Sequence, residues 1–386
     1  MEKKEEKKSK NKKLEEQLFY KKESSWCDYS EKETHEVMAF AEDYKKFIGA
    51  SKTERLCSSN IIAILEKAGF KNMEKMKSLK TGDRGYRVIK NKTVTAFIAG
   101  EKTESFRIIG SHIDSPRLDL KPNPLYQNSD IALLQSHYYG GIKKYHWVNT
   151  PLELHGIAFS KTGGEVEIHI GTEHDDPKFI IPDLLPHLAK EQMKKDGTKL
   201  IEGEDLNIIC GHIPVCDKEI KEKIKLNVLK YLNDTYGLIE EDFICAELEF
   251  VPAQKPVDIG FDRGIVGAYG QDDRVCVYSS LRAITSVKNP EHTAVAFFCD
   301  KEETGSWGNT GAESFALLHF TREYLKLLGS PRSAFDVLEK SKAISADVTA
   351  AMDPTFPSVN DPMNVSYLGR GVSIEKYGGG GGKYNT

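Results

Sequence analysis

The sequence predicts an α/β fold in which a central mixed sheet, flanked by helices, is interrupted by a mostly β insertion. Three observations carry this. Residues Ala294 to Cys299 form a continuous apolar run without polar alternation, as in a strand buried on both faces. Apolar residues recur at helical spacing around such runs: Val37, Met38, Phe40, Ala41, Tyr44, Phe47 and Ile48, then 61–68, then Phe315, Leu318, Leu325 and Leu328. Between Leu118 and Pro252 the texture changes to short strand-like pieces separated by turns.

A chain of 386 residues exceeds one ordinary core, so two domains are expected. One comprises residues 14–117 and 253–386, and the other is the insertion, 118–252. Hydrophobic content of 39%, 29% charged residues and a net charge of -4 fit a globular enzyme and give no broad attraction to nucleic acid or an anionic membrane. No apolar run approaches the roughly 18 residues of a membrane span, and no signal peptide opens the chain, so a cytoplasmic location is expected. The seven cysteines are scattered and never in a C-x-x-C pair, which points to free thiols.

Taken in order, residues 2–13 hold seven lysines, three glutamates and no apolar residue, so residues 1–13 should be disordered. After the two N-terminal helices, strands are expected at 88–90, 93–99 and 106–110. In the insertion, strands fall at 152–159, 165–171 and 243–251, with helices near 187–195 and 218–232. Residues 257–266 then lead to a helix through Val277, Leu281 and Ile284, and a further helix spans 312–328. A short strand, 343–347, and a last one, 371–377, precede five glycines.

The chemistry gathers at the strand ends. His112 and Asp114 follow a strand and are two apart, so on extended chain they share a side, which suits an imidazole ligand and the carboxylate that orients it. Asp272 and Asp273 open the helix that follows the insertion. Glu302 and Glu303 end the buried run, and the glycines after them allow the turn that brings both acids together. Asp347 ends the next apolar piece. Each taken alone also reads as a cap, a surface pair or a solvated charge cluster. Together they place an imidazole and several carboxylates at one sheet edge, for which a divalent cation is the natural counter-charge. The mixed donor set suits zinc, manganese or cobalt, and thiolates are lacking.

Four ordered motifs resemble those of the aspartyl aminopeptidase and aminopeptidase I family of dinuclear metallopeptidases. They are Gly110-Ser-His-Ile-Asp-Ser-Pro-Arg-Leu118, Tyr269-Gly-Gln-Asp-Asp-Arg274, Cys299-Asp-Lys-Glu-Glu-Thr-Gly-Ser306 and Ser345-Ala-Asp-Val348. The resemblance implies a metallo-aminopeptidase catalytic domain whose β-rich insertion makes subunit contacts. It implies two divalent metals per subunit, most commonly zinc, with His112 and Asp347 on the first ion, Asp272 bridging, and Glu303 on the second. Glu302 would be the general base and Asp114 the orienter of His112, while His187 resembles a histidine offered to a neighbouring subunit's substrate site. A helix-start histidine reads equally well there. The expected substrates are peptides with a free N-terminus, and the expected assembly is a homo-oligomer, up to a dodecamer.

One departure stands out. The family pattern has a second terminal imidazole near the C-terminus, whereas the last histidine here is His319, inside a helix. The 386 residues are therefore expected not to be the complete enzyme, and to hold about one metal per chain. Two other readings share these residues: a related dinuclear amidohydrolase, such as a deacetylase or carboxypeptidase, and a catalytically silent scaffold.

Overall fold

The computed structural model describes residues 9–20, 23–161 and 164–376. Helices α1 (Lys10–Leu18), α2 (Glu31–Ala50) and α3 (Glu54–Lys67) precede strands β1 (Lys71–Asn72), β2 (Arg84–Ile89), β3 (Thr93–Ile98) and β4 (Lys102–His112). Next come β5 (Arg117–Asn128), β6 (Ile131–Tyr139), β7 (Leu152–Phe159), β8 (Glu165–Ile170), β9 (Asn207–Gly211), α4 (Lys223–Tyr236) and β10 (Glu247–Pro252). The hairpin β11 (Val257–Ile259) and β12 (Ile265–Gly267) leads to α5 (Gln271–Ser286) and β13 (His292–Cys299). The described elements end with α6 (Ala316–Leu328), α7 (Ala334–Glu339) and β14 (Lys342–Ser345).

The first sheet has the order β1-β2-β3-β13-β4-β14 and is mixed: β13 is antiparallel to β3 but parallel to β4, and β14 is parallel to β4. The apolar run of β13 explains its central place. Ala296 and Phe298 join a core with Phe47, Ile48, Ile61, Leu65, Val277 and Leu281 from α2, α3 and α5, while Val295 joins one with Phe320, Tyr324 and Val337 from α6 and α7. Helices thus cover both faces, and each large apolar side chain so buried contributes about 1.5–3 kcal/mol.

The second sheet, β8-β7-β10-β5-β6-β9, is antiparallel throughout and comes wholly from Arg117–Pro252. Its core, including Leu118, Leu154 and Phe250, is joined by Ile224 and Leu232 of α4. Both sheets belong to one compact unit, Asp43–Val348. A second unit comprises the described residues up to Glu42 and from Thr349 onward, where Ser25 donates its backbone N–H to the Gly369 carbonyl and Ala351 bridges Ser366.

Several local expectations are corrected. Lys10 to Lys13 are helical, capped by Ser9 accepting from the Lys12 amide, although α1 buries nothing; residues 1–8 lie outside the described residues. The helix expected near 187–195 is replaced by turns and a single 3-10 turn, Gln192–Lys194. Leu184, Leu185, Leu188 and Met193 are exposed there, so no apolar stripe docks to sustain a helix. The last strand also fails: residues 371–376 carry no strand, and Val372 and Ile374 are almost fully exposed rather than packed on a sheet face. Tyr377 and the glycines after it lie outside the described residues.

Candidate metal centre

The parallel pairing of β13 with β4 sets Cys299 opposite His112, and β14 on the other side of β4 sets Ser345 opposite Gly110. Three segments therefore leave the first sheet at one edge, carrying His112, the Glu302–Glu303 pair and Asp347. The start of α5 arrives at the same edge, since the His112 backbone N–H donates to Asp273 Oδ2 at 3.3 Å.

His112 is the hub. Its Nε2 lies 3.1 Å from Asp272 Oδ1, 3.7 Å from Glu302 Oε2 and 3.7 Å from Asp347 Oδ1. Its Nδ1 lies 3.2 Å from Asp114 Oδ1 and 3.0 Å from the Asp114 carbonyl. The imidazole is 2% exposed, whereas the Asp272, Glu302 and Asp347 side chains are about half exposed and open the site to solvent.

A one-turn 3-10 helix, Glu302–Thr304, brings the two glutamates together, bracketed by Lys301 and Gly305 in left-handed conformations. Asp114 fixes this turn. Its Oδ1 accepts from the Glu302 amide at 3.1 Å and its Oδ2 from the Glu303 amide at 3.2 Å. Sequence reasoning found Asp114 as a partner of His112 but not this second duty. It marked Asp273, with Asp272, as an acid at the start of the helix but gave it no role, and it passed over Ser115, whose hydroxyl donates to the Asp272 carbonyl at 2.5 Å. The pattern of acid before helix held the signal for Asp273; none marked Ser115.

The site is short of positive charge. Burial raises the Glu302 carboxyl, and Asp347, Asp114 and Asp272 add to the rise. Glu303 is pushed up to about 7 by burial and then by the charge of Asp272. Burial alone would lower His112, but hydrogen bonds to Asp114, Asp272 and Asp347 raise it strongly. Among the described residues, no lysine or arginine forms an ion pair with Asp114, Asp272, Glu302, Glu303 or Asp347, whose ion pairs go to His112 where they have one. One nitrogen ligand, His112 Nε2, faces carboxylate oxygens of Glu302 and Asp347 within 4.8 Å of one another, with Asp272 nearer still. This donor set fits a divalent metal, whose charge would replace the proton that the imidazole otherwise holds.

Two of the expected residues stand apart from this cluster. Glu303 meets Asp114 through its backbone, and its carboxylate lies beside Gly140, where a side chain would come within 3.2 Å of Oε2. His187 is exposed in a turn, and no described contact joins it to the site. His319 is exposed on α6.

The family model for the aminopeptidase I zinc metalloproteases (M18) matches residues 47–386. A probable M18 family aminopeptidase 1 of Clostridium acetobutylicum is 45% identical over 372 residues, covering 93% of this chain and 79% of its own length. The crystal structure of an M18 family aminopeptidase from Thermotoga maritima superposes with a TM-score of 0.90 at 44% identity, covering 95% of this chain and 81% of that one. The yeast mApe1 dodecamer shares the fold at 22% identity, with a TM-score of 0.68, 85% of this chain and 75% of that one.

Proposed function

The chain belongs to the aminopeptidase I (M18) family of zinc metalloproteases and is a metal-dependent aminopeptidase, and from that premise we propose how its residues divide the work. His112, Asp272 and Asp347 would hold a first divalent ion, and Asp272 and Glu303 would hold a second, zinc being the metal the family name carries. When bound, the metal supplies a Lewis acid for the scissile carbonyl and a positive charge that eases deprotonation of water. Glu302 is the general base: it takes the proton of the attacking water and passes it to the leaving amine. Asp114 holds His112 in one tautomer and keeps both glutamates in their turn. The carboxylate-rich mouth also favours the cationic amino end of a peptide over an acylated one, which restricts cleavage to the first residue.

The observation that carries this reading is the buried His112 Nε2 facing three carboxylates at 3.1 to 3.7 Å. Residues 14–117 and 253–386 form the catalytic domain in this proposal, and 118–252 the oligomerisation domain of a homo-oligomer in which His187 of one copy serves its neighbour's site. The yeast dodecamer supports assembly, which light scattering reads directly. The free cysteines fit the reducing conditions of cytoplasm, and no helix among the described residues is long and apolar enough to cross a membrane.

The deciding experiment compares unblocked dipeptides with N-acetyl amino acids, before and after chelation. Hydrolysis of unblocked dipeptides only, abolished by chelator and restored by zinc, manganese or cobalt, is the expected result. Preference for the acylated compounds would indicate an amidohydrolase, and chelator-resistant turnover would sink the metal reading.

A further inference from the structure

Asp114 carries more of the site than any other carboxylate. It is fully buried, and beyond the bonds to His112, Glu302 and Glu303 it accepts a further one, from the Tyr139 hydroxyl to Oδ2 at 2.6 Å. Tyr139 is the last residue of β6, so this bond ties the second sheet to the edge of the first. We propose that Tyr139 is a positioning residue of the metal centre, whose hydroxyl fixes Asp114 and, through Asp114, both the His112 imidazole and the turn bearing Glu302 and Glu303. The proposal rests on the metal reading above.

The ring of Tyr139 is held as firmly as its hydroxyl. Arg117, its cross-strand partner on β5, lays its guanidinium 3.9 Å from the ring centroid. Arg117 is itself pinned, with Nη1 3.1 Å from Glu54 Oε2 and Nε 2.8 Å from Asp119 Oδ1 and 3.3 Å from Glu249 Oε1. Lys301, the residue before Glu302, brings its ammonium within 5.3 Å of the same ring. Packing alone would be met by phenylalanine. What the hydroxyl adds beyond packing is the orientation of Asp114, because a carboxylate serving an imidazole and two amides can turn about its side-chain bonds once a fixed donor is removed.

The test uses Tyr139→Phe, which keeps the ring and its stack and deletes one oxygen. Zinc-loaded wild type and variant are titrated with chelator, their turnover and KM are measured, and the metal-free proteins are melted. The variant is expected to release zinc about 10- to 100-fold more readily and to lose turnover more than KM, with a metal-free melting temperature like that of wild type. In an Asp114→Asn background the same change should add nothing, since its effect passes through Asp114. Zinc retention and turnover within twofold of wild type would overturn the proposal. So would losses that add in the double variant or that merely follow a lowered melting temperature. A wild-type chain that holds no zinc would overturn the metal reading and this inference together, whereas equal retention by both proteins overturns the inference alone.

Discussion

Two clusters of charge flank the Arg117–Tyr139 pair, and they are neutralised in opposite ways. On one side Glu54, Lys92, Arg117 and Glu249, each at most 7% exposed, pair with one another, although Glu249 Oε2 finds no hydrogen-bond partner among the described residues. Lys92 reaches Glu54 at 2.9 Å and Glu247 at 3.2 Å, and Arg117 reaches Glu54 at 3.1 Å and Glu249 at 3.3 Å. On the other side Asp114, Asp272, Glu302 and Asp347 crowd one imidazole with Glu303 on the same turn as Glu302, and no lysine or arginine is paired to any of them among the described residues. The first cluster carries its own counter-charges in Lys92 and Arg117. The second is complete only with a cation. Carboxylates of the same type thus serve structure or chemistry according to whether the fold supplies lysine and arginine beside them.

The largest effect should come from the incomplete cluster. Glu302→Gln is expected to lower turnover by about 100- to 10,000-fold while the protein keeps its metal, measured by steady-state kinetics alongside metal analysis. Glu303→Gln should instead weaken the second ion that the proposed assignment gives to Asp272 and Glu303, read by metal analysis. Metal loss from Glu302→Gln together with surviving turnover would reverse the two roles and blur the contrast.

The complete cluster should respond through stability. Arg117→Met leaves Glu54 and Glu249 buried beside one another and should cost about 3–5 kcal/mol in urea unfolding. Burial alone would raise the Glu54 carboxyl, but Arg117 and Lys92 hold it well below the usual carboxylate range. A depressed folded value means that this contribution is present in full above the unfolded carboxylate pKa of about 4.3 and drains away as pH falls below it. Glu249 moves the other way, raised by burial and by Glu54 and Asp119, so its contribution is present at low pH and lost as pH rises through its folded value. Subtracting the profile of Glu54→Gln isolates the first effect. Wild type should lose stability more steeply than that variant between pH 5 and 3, and parallel profiles would show that Glu54 is not held by the network.

The smallest effect belongs outside both clusters. His319→Ala on the exposed face of α6 should change stability by no more than about 0.5 kcal/mol and leave metal content untouched. A loss of metal would make His319 a ligand and require a different arrangement of the site.

Local pattern and spacing were enough, in the sequence itself, for the buried strand at Ala294 to Cys299, the helices that cover it, and the placing of His112, Asp272, Glu302, Glu303 and Asp347 at strand or helix ends. These features are local because burial on both faces imposes a continuous apolar run, and because a side chain that must leave a buried strand can do so only where the run stops. The tertiary structure alone decided the rest. β5 escaped notice because Pro122 and Pro124 break its alternation and its register shifts between Leu120 and Leu125, and β6 because Ile131 to Leu134 is an apolar run without alternation. With β6 unseen, nothing linked Tyr139 to Asp114, 25 residues earlier. The separation of the two charge clusters is equally a matter of folding. A glutamate in the sequence does not reveal whether a lysine 38 residues away, as Lys92 is from Glu54, will pack against it, and that pairing determines which carboxylates are left for a metal.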